Sequence, residues 1–317
     1  MREALARGTE VRATGRETAA GEELALLGAD FVPCDLVAPE AETGALVTGC
    51  DSVIHAAAHS ASWGPKTDFI AANVTATQRL LDAARAAGVS RFVFVSSPSI
   101  FARLGNRTGI GEDDQPNNRP LNAYAQTKLA AERVVLAAAD DRLATCAIRP
   151  RALVGKGDRV ILPRLAELAR RKRMPLPRGG TALMELTDLR DAAWAICEAE
   201  ARAPAVSGRA INISGGQPIA VRDLARRLAE ALGERPRLVS IPLVVAQPLA
   251  HIAETIARLT GAEEEPVLTR YMLALLAFSQ TFDLAPARRW LDYRPRHDAT
   301  ATLLAEARRL NSEGGAA

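Results

Sequence analysis

The chain has 317 residues, of which 48% are hydrophobic and 24% charged, and its formal net charge is +3. This length can bury a sizeable core, either in one large α/β domain or in two smaller ones. The small charge, with no basic run interleaved with aromatic residues, argues against a nucleic-acid partner. No stretch reaches about 18 uninterrupted apolar residues, and the first residues lack a secretory signal pattern, so we expect no membrane span and a cytoplasmic protein.

Strand-like and helix-like patterns alternate through the first two thirds of the sequence, after a helix end at Met1–Gly8. This alternation is typical of an α/β protein with a parallel sheet. The predicted strands are Thr9–Thr14, Asp30–Cys34, Ser52–Ala58, Arg91–Val95, Thr145–Pro150, Leu183–Thr187 and Arg209–Ser214.

Four cysteines, Cys34, Cys50, Cys146 and Cys197, are scattered without C-x-x-C spacing. We interpret them as small hydrophobic residues of a reducing compartment. Neither a disulfide framework nor a metal site is predicted from them.

The stretch from Arg91 to Lys128 carries the clearest chemical signal. A predicted buried strand ends in Ser96-Ser97, and a long Ala-rich helix from Asn122 to about Ala139 follows after a loop. On that helix Tyr124 and Lys128 leave the same face one turn apart. A free phenol titrates near pH ~10, and a nearby ammonium lowers its pKa into the range of a general base.

We therefore predict that Ser97, Tyr124 and Lys128 move a proton to and from a carbinol oxygen, with Ser97 holding that oxygen. The alternative is that Tyr124 merely packs against the core while Lys128 is solvated.

The sequence resembles the extended short-chain dehydrogenase/reductases over nearly its whole length, and within them the branch of 3β-hydroxysteroid dehydrogenases and dihydroflavonol reductases. The matching pieces are Cys34–Leu36, Asp51–Ala58, Ala72–Ala76, the Ser97/Tyr124/Lys128 set, Arg149-Pro150 and Ile211–Gly216. The resemblance implies an α/β fold with a doubly wound parallel Rossmann-type sheet and a smaller, mostly helical C-terminal substrate domain. It assigns residues 1–154 and 184–214 to the dinucleotide-binding domain, and residues 155–183 and 215–317 to the substrate domain.

A bound nicotinamide cofactor is also implied. Arg16 follows the second strand of such a fold, where an arginine suits a 2′-phosphate, so NADP(H) is favoured and NAD(H) is the alternative. A solvated loop arginine is the other interpretation of Arg16.

The resemblance implies further cofactor-binding residues. The family places Asp35 and Leu36 beside the adenine, and Asn73 can brace the active site. The predicted strand Ser52–Ala58 ends in three small residues, Ala56, Ala57 and Ala58. Their small side chains would let a flat cofactor lie against the strand end. The implied set is completed by Ser96, Tyr124, Lys128 and Pro150.

The first residues depart from the family. A dinucleotide-binding fold begins with a strand and a glycine-rich turn whose N–H groups receive the pyrophosphate. No such turn precedes Gly8, so we expect a sheet that lacks its first strand and weak dinucleotide binding by this chain. Either Met1 is an internal start of a longer protein, or the phosphate loop has been lost.

Two positions bear on the substrate. Ala152 and Met184 stand where the sugar-nucleotide relatives carry an Asn and an Arg that hold a diphosphate, although Arg151 could supply such a contact from next door. This favours an NAD(P)-dependent oxidoreductase acting on the secondary alcohol or ketone of an apolar, sterol-like, flavonoid-like or 3-oxo-acyl substrate. The alternatives are a nucleotide-sugar epimerase or dehydratase, and a catalytically degraded nucleotide-binding scaffold. A homodimer through the helices around Asn73 and Tyr124 is the expected assembly, if one forms.

The remaining expectations concern single segments. Residues 60–68 are expected to form a substrate-side loop with Trp63 as an apolar wall, 101–120 a loop, 159–173 a basic helix, and 311–317 a disordered tail. The apolar stretches Ile241–Thr260 and Pro266–Phe278 are expected to roof a hydrophobic pocket, with a membrane-surface role as the alternative.

Overall fold

The structure is a computed structural model that describes residues 1–38, 41–158 and 161–314. Its strands are β1 Arg12–Gly15, β2 Asp30–Pro33, β3 Ser52–His55, β4 Arg91–Val95, β5 Arg107–Ile110, β6 Ala144–Pro150, β7 Leu153–Val154, β8 Arg173–Pro177, β9 Leu183–Met184, β10 Thr187–Asp188, β11 Arg209–Ile213, β12 Ile219–Ala220, β13 Arg237–Ile241 and β14 Gln280–Phe282.

The α-helices are α1 Arg2–Ala6, α2 Thr18–Leu26, α3 Thr43–Val47, α4 Lys66–Ile70, α5 Ala76–Ala86, α6 Ala123–Ala137, α7 Ile161–Ala169, α8 Leu189–Ala201, α9 Val221–Ala231, α10 Leu243–Leu259, α11 Arg270–Ala277, α12 Ala285–Leu291 and α13 Ala299–Gly314. A π-helical turn at Ala71–Thr75 joins α4 to α5. Short 3₁₀ turns lie at Pro98–Phe101, Arg178–Gly180 and Ala203–Val206.

Four parallel strands form the central sheet, in the order β11-β6-β4-β3. The middle strand β4 is buried on both faces, as its continuous apolar sequence predicts. Its side chains alternate: Phe92 and Phe94 pack with residues of α5 and α6, whereas Val93 points to the opposite face and packs with residues of α8 and α12. The sheet therefore has a helical layer on each side, and the predicted doubly wound α/β architecture is confirmed.

Strands β1 and β2 pair in parallel with each other but not with the central sheet, among the hydrogen bonds of the described chain. On the outer edge of the central sheet, the Ile54 side chain of β3 is 39% exposed. The parallel strands β1 and β2 thus form a sheet separate from the central one. The sequence analysis expects the first strand of the family's single sheet to be lacking.

The C-terminal part surrounds a second core in which α7, α9 and α13 pack together. Two helices, α10 and α11, pack through small residues that include Ala246, Ala250 and Ala277. Other residues from the same part of the chain, Phe282, Leu291 and Tyr293, instead pack against the central sheet. Segment 215–317 therefore supports both cores, and the domain boundaries given by the resemblance stay a prediction.

Several segment predictions need correction. Residues 101–120 contain β5, which pairs with β14, and helix α13 continues through residue 314. The predicted basic helix is shorter: α7 spans Ile161–Ala169, while Arg159 and Val160 lie outside the described residues. Residues 315–317 lie outside them as well.

Strand β3 is also shorter than predicted. It ends at His55, where its pairing with β4 stops. The three positions that the sequence analysis placed at the end of this strand therefore lie in the loop that follows it: Ala56, Ala57 and Ala58.

Helix α10 does not use its large apolar side chains to roof a pocket. Small residues face the neighbouring helix, whereas Val244 is 82% and Leu259 83% exposed. No helix within the described ranges is both long enough and apolar enough to cross a membrane.

Candidate active site

The ends of two neighbouring strands place the predicted catalytic serine. Val95 of β4 pairs with Ile148 of β6, and the Ser96 N–H donates to the Ile148 carbonyl at 2.7 Å. Continuing that register sets Ser97 level with Pro150, the last residue of β6. Both lie at the carboxyl edge of the parallel sheet, where α/β proteins of this type bind their ligands.

Helix α6 brings the tyrosine to the same edge. Asn122 caps the helix, its side-chain oxygen accepting from the Ala125 N–H at 2.9 Å, so that Tyr124 stands in the first turn. Tyr124 is half-buried, and the Ser97 side chain is near enough to its phenol to act on its pKa. Burial raises the pKa of Tyr124, and the neighbouring Ser97 opposes that rise only in part. The two side chains are thus brought to one edge of the sheet, while their catalytic roles stay a prediction.

Lys128 lies one turn further along α6 and is only 2% exposed. Its Nζ donates to the Val95 carbonyl at 2.5 Å and lies 4.2 Å from the centre of the Phe94 ring. Burial lowers the pKa of Lys128 to about 7, although the charge of Glu132 acts in the opposite direction. At neutral pH this lysine is therefore divided between its ammonium and amine forms.

The expected effect of Lys128 on Tyr124 is not found. Lys128 is absent from the groups that shift the pKa of Tyr124, which burial raises instead of lowering. The physical reason is the direction of the ammonium, which turns to the strand-end carbonyl of Val95. The tyrosine is thus kept protonated at neutral pH.

His55 is buried at the end of β3, and its Nε2 lies 2.9 Å from the Thr77 hydroxyl. Burial, together with the positive charge of Lys128, lowers the pKa of His55 to about 3. The ring is therefore neutral, and it serves as a buried structural residue bonded to Thr77.

Asn73 lies in the π-helical turn and is 1% exposed. Its Oδ1 accepts from the His59 N–H at 2.7 Å, and its Nδ2 donates both to the His59 carbonyl and to the Thr127 hydroxyl. These bonds fasten the loop after β3 to helix α6, which is the bracing contact expected of this residue. Both amide hydrogens are used within the protein, so a direct cofactor contact by Asn73 stays a prediction.

The predicted cofactor residues near β1, β2 and β3 fall into two environments. Asp35 is exposed, with its side chain accepting from the Val37 N–H at 3.0 Å, whereas Leu36 packs in the core between α3 and α5. A buried leucine cannot lie against an adenine without moving out of that core, so its cofactor contact is the weakest of the set. The other exposed members are Arg16, Ala56, Ala57 and Ala58.

The three alanines leave the loop after β3 open to a ligand. Ala56, Ala57 and Ala58 are each exposed, directly beyond the buried His55. Their small side chains would let a flat ring approach the backbone, as the sequence analysis expects. The cofactor contact of these alanines stays a prediction.

Ser96 and Pro150, which adjoin the predicted catalytic residues at the strand ends, are both buried. The Ser96 hydroxyl has no hydrogen-bond partner among the described residues. A buried, unpartnered hydroxyl next to an open strand end fits the nicotinamide side of a dinucleotide. Ser96, Tyr124 and Lys128 are the side chains that could hold it.

A cleft of about 530 Å³ opens beside the start of α6. Its apolar walls come from Trp63, for which the sequence analysis expects this place, and from Phe69 and Leu121. The Trp63 Nε1 donates to the Ala262 carbonyl at 3.0 Å, which joins the loop after β3 to the segment after α10.

The same cleft carries more basic than acidic groups. Its lining includes the basic residues Lys66, Arg119, Arg258 and Arg270 and the carboxylate of Glu254. Glu254 is 3% exposed and is held by both Arg258 and Arg270. The negative charge of Glu254 thus offsets part of the positive charge of Arg258 and Arg270.

Tyr271 is a site residue that the sequence analysis missed. It lines the cleft, and burial raises its pKa to about 12, while the charges of Arg151 and Arg164 act to lower it and Tyr124 acts to raise it. Tyr271 stands in the first turn of α11, far from Tyr124 in sequence. The one feature of the sequence that could have pointed to Tyr271 is the rarity of tyrosine, since the chain has three.

Within the described residues no cluster of three or more His, Cys, Asp or Glu side chains could hold a metal ion. All four cysteines are free thiols.

The comparisons with known proteins concern the family and the fold of the chain. Residues 1–214 match the model of the NAD dependent epimerase/dehydratase family. Over 280 residues, the chain is 37% identical to a 2-alkyl-3-oxoalkanoate reductase of Stenotrophomonas maltophilia, covering 86% of this chain and 84% of the relative. It is 30% identical over 316 residues to a 3 beta-hydroxysteroid dehydrogenase/Delta 5-->4-isomerase of Mycobacterium tuberculosis, covering 92% and 81%.

Among solved structures, the chain is similar to MoeE5 in complex with UDP-glucose and NAD. The TM-score is 0.71 at 26% identity, with 97% of this chain and 93% of that chain covered. The fold, the extent of the family match and these relatives lead to one conclusion: the chain belongs to the NAD dependent epimerase/dehydratase family and is an NAD(P)-dependent oxidoreductase of the extended short-chain dehydrogenase/reductase type.

Proposed function

We propose that the protein interconverts a ketone and a secondary alcohol on a largely apolar substrate, with Ser97, Tyr124 and Lys128 as its catalytic residues. The observation that carries the proposal is the placement of Tyr124 beside Ser97 at the carboxyl edge of the sheet, close enough for Ser97 to lower the pKa of the phenol. A substrate oxygen held by these two hydroxyls would lie within reach of the proton of the Tyr124 phenol.

A nicotinamide held at this edge of the sheet would supply or take up the hydride at the ketone carbon of the substrate. Tyr124 donates its proton to the carbonyl oxygen during reduction and takes it back during oxidation, while Ser97 holds that oxygen. Ser96 and Lys128 would hold the nicotinamide side of the cofactor, next to the exposed alanines that follow β3.

The protonation states support the reductive direction. Because the pKa of Tyr124 is raised by burial, its phenol carries a proton throughout the neutral range. A protonated phenol is the acid that ketone reduction requires, whereas alcohol oxidation requires a base. We therefore expect reduction to be fast at neutral pH and oxidation to become faster as the pH rises.

The substrate class rests on two supports. The cleft has apolar walls at Trp63, Phe69 and Leu121. In addition, the names of two relatives refer to an oxoalkanoate and to a hydroxysteroid. A sterol-like, flavonoid-like or 3-oxo-acyl ketone is the substrate we propose.

Three further features belong to the proposal. NADP(H) is favoured over NAD(H), because the exposed Arg16 can meet a 2′-phosphate. The dinucleotide is bound by residues 1–154 and 184–214 and the substrate largely by residues 155–183 and 215–317. The protein works in the cytoplasm, and the helices around Asn73 and Tyr124 form a homodimer contact.

The experiment follows the absorbance of the reduced nicotinamide as NADPH or NADH is offered with a sterol ketone, a flavanone-type ketone or a 3-oxo ester. Turnover that Tyr124→Phe lowers at least about 100-fold would support the proposal. Equal turnover by the variant and the parent protein would contradict it. Calorimetry with each dinucleotide is the second measurement, and failure to bind either would favour a degraded scaffold without catalysis.

A second candidate is an epimerase or dehydratase of sugar nucleotides, in which a hydride is taken from the sugar and then returned. The observation that favours it is the basic lining of the cleft, which includes Lys66 and Arg119. Thermal stabilisation by UDP-glucose or a dTDP sugar, without stabilisation by apolar ketones, would favour this candidate over the first.

A further inference from the structure

Arg151 is a buried cation without a hydrogen-bond partner. The residue is 6% exposed, none of its side-chain nitrogens donates to another described residue, and its Nε is wholly enclosed. The backbone, by contrast, is fixed: its N–H donates to the Ile213 carbonyl at 2.8 Å, and its carbonyl accepts from the Thr187 hydroxyl. The position is therefore held firmly while the guanidinium is left without an acceptor.

An arginine two residues earlier shows the usual arrangement in this chain. Arg149 holds Glu132 in a buried two-pronged ion pair, with N···O distances of 2.8 and 2.5 Å. Arg151 has no such partner. The carboxylate whose charge acts on it, that of Glu185, accepts from the Ser214 hydroxyl instead. An unpaired buried guanidinium costs several kcal/mol, so a partner that arrives with the substrate would explain its retention.

The location of Arg151 connects it to the proposed chemistry. It follows Pro150 at the end of β6, one residue beyond the level of Ser97 in the neighbouring strand. The next residue, Ala152, has a φ of 44°, so the chain turns away from the sheet at this point. Tyr271, which lines the cleft, is close enough to both Arg151 and Tyr124 for each to shift its pKa.

We propose that Arg151 binds the carboxylate of the substrate, and that the substrate is a free 3-oxo acid with an apolar chain. In such a molecule the carboxylate lies two bonds from the ketone carbon. Arg151 and the Ser97–Tyr124 pair could then hold its two ends at one edge of the sheet. A neutral sterol or flavonoid ketone has no group that could occupy Arg151. This inference rests on the proposed ketone chemistry and narrows its substrate class.

A diphosphate is the other source of anionic oxygens for this arginine. The cleft does contain further basic groups, but the side chains of Ala152 and Met184 cannot donate a hydrogen bond to a second phosphate. One arginine matches one carboxylate in a planar, two-pronged contact. We therefore commit to the carboxylate and use a sugar nucleotide as a competing probe.

The test is calorimetry with 3-hydroxydecanoate, a stable product-like acid, and with its methyl ester. The proteins are the parent chain, Arg151→Met, Arg151→Lys and the exposed-arginine control Arg133→Met. Loss of a charge-assisted contact should weaken binding of the acid to Arg151→Met by about 10- to 100-fold. Binding of the ester should be unchanged, Arg151→Lys should retain part of the affinity, and Arg133→Met should bind both ligands as the parent does.

Thermal unfolding supplies an independent readout. If Arg151 serves a ligand, replacing an unpaired buried charge with methionine should leave the melting temperature equal or higher. A melting temperature well below that of the parent would show a structural arginine and overturn the inference. Equal loss of acid and ester binding, or equal affinity of the parent for both, would overturn it as well.

The two proposals can fail separately. Acid binding that needs Arg151, in a protein that transfers no hydride, would support the carboxylate site and remove the proposed reaction. Hydride transfer to neutral ketones as fast as to 3-oxo acids would keep the reaction and overturn the carboxylate site. Binding of UDP-glucose that requires Arg151, with no binding of the acid, would overturn the carboxylate assignment too.

Discussion

Replacing Lys128 with methionine should change how the stability of the protein depends on pH. A lysine has an ordinary pKa of 10.5 when exposed, and burial lowers that of Lys128 to about 7 in the folded protein. Between these two values the unfolded chain binds a proton that the folded chain does not, so the free energy of unfolding rises with pH. Below the folded value the buried charge destabilises the fold in full, and above it that penalty is progressively relieved.

The magnitude follows from the shift. Each pH step of one unit above about pH 7 relieves about 1.4 kcal/mol, so the parent should gain about 3 kcal/mol from Lys128 between about pH 6 and about pH 9. For a chain of this length that gain corresponds to about 4 °C in melting temperature. Methionine keeps the apolar stem but not the charge, and the lost bond to the Val95 carbonyl adds an offset that does not change with pH.

The assay is thermal unfolding of the parent chain, Lys128→Met and the exposed control Lys172→Met across that pH range. The melting temperature of the parent should rise relative to Lys128→Met as the pH increases, while Lys172→Met should follow the parent. A constant difference between the parent and Lys128→Met would refute the reasoning. It would show that the buried lysine titrates at its ordinary pKa.

Three further outcomes are expected. Ser97→Ala should lower kcat for ketone reduction about 100-fold, because it removes a donor to the substrate oxygen. The basic limb of the pH profile should move to higher pH, because loss of Ser97 lets the pKa of Tyr124 rise further. An unmoved pH profile would count against an effect of Ser97 on Tyr124. Asn73→Ala should lower the free energy of unfolding by about 2 kcal/mol, because its buried hydrogen bonds are lost. Hydrogen exchange at the His59 amide should become faster, and exchange as slow as in the parent would contradict this expectation. Glu132→Gln should cost about 3–5 kcal/mol in denaturant unfolding, because Arg149 is left as an uncompensated buried charge, whereas a loss below about 1 kcal/mol would show that water reaches it.

Local sequence patterns were enough to predict the four strands of the central sheet and to place Ser97 and Tyr124 at one of its edges. Strand β4 reads as one apolar run, and the spacing from Tyr124 to Lys128 places both on one helical face. Sheet register then brings the two strand ends to a common edge, which parallel topology makes predictable.

The direction of the lysine could not be predicted in this way. Periodicity sets the face from which Lys128 leaves α6, but the Val95 carbonyl and the Phe94 ring come from another element and decide where its ammonium points. Tyr271 and Arg151 meet the site only through tertiary packing, so no local pattern marks them. Composition likewise did not show which face of α10 packs, because alanines make the contact and the larger residues face outward.

The most direct test of the catalytic scheme is a single-turnover measurement of hydride transfer from NADPH to a 3-oxo substrate by the parent chain and by Tyr124→Phe. The account predicts that the parent transfers the hydride and that the phenylalanine variant slows this step by about 100-fold or more while still binding the dinucleotide. Transfer at the same rate in both proteins would contradict it, because the proton would then have to come from a group other than Tyr124.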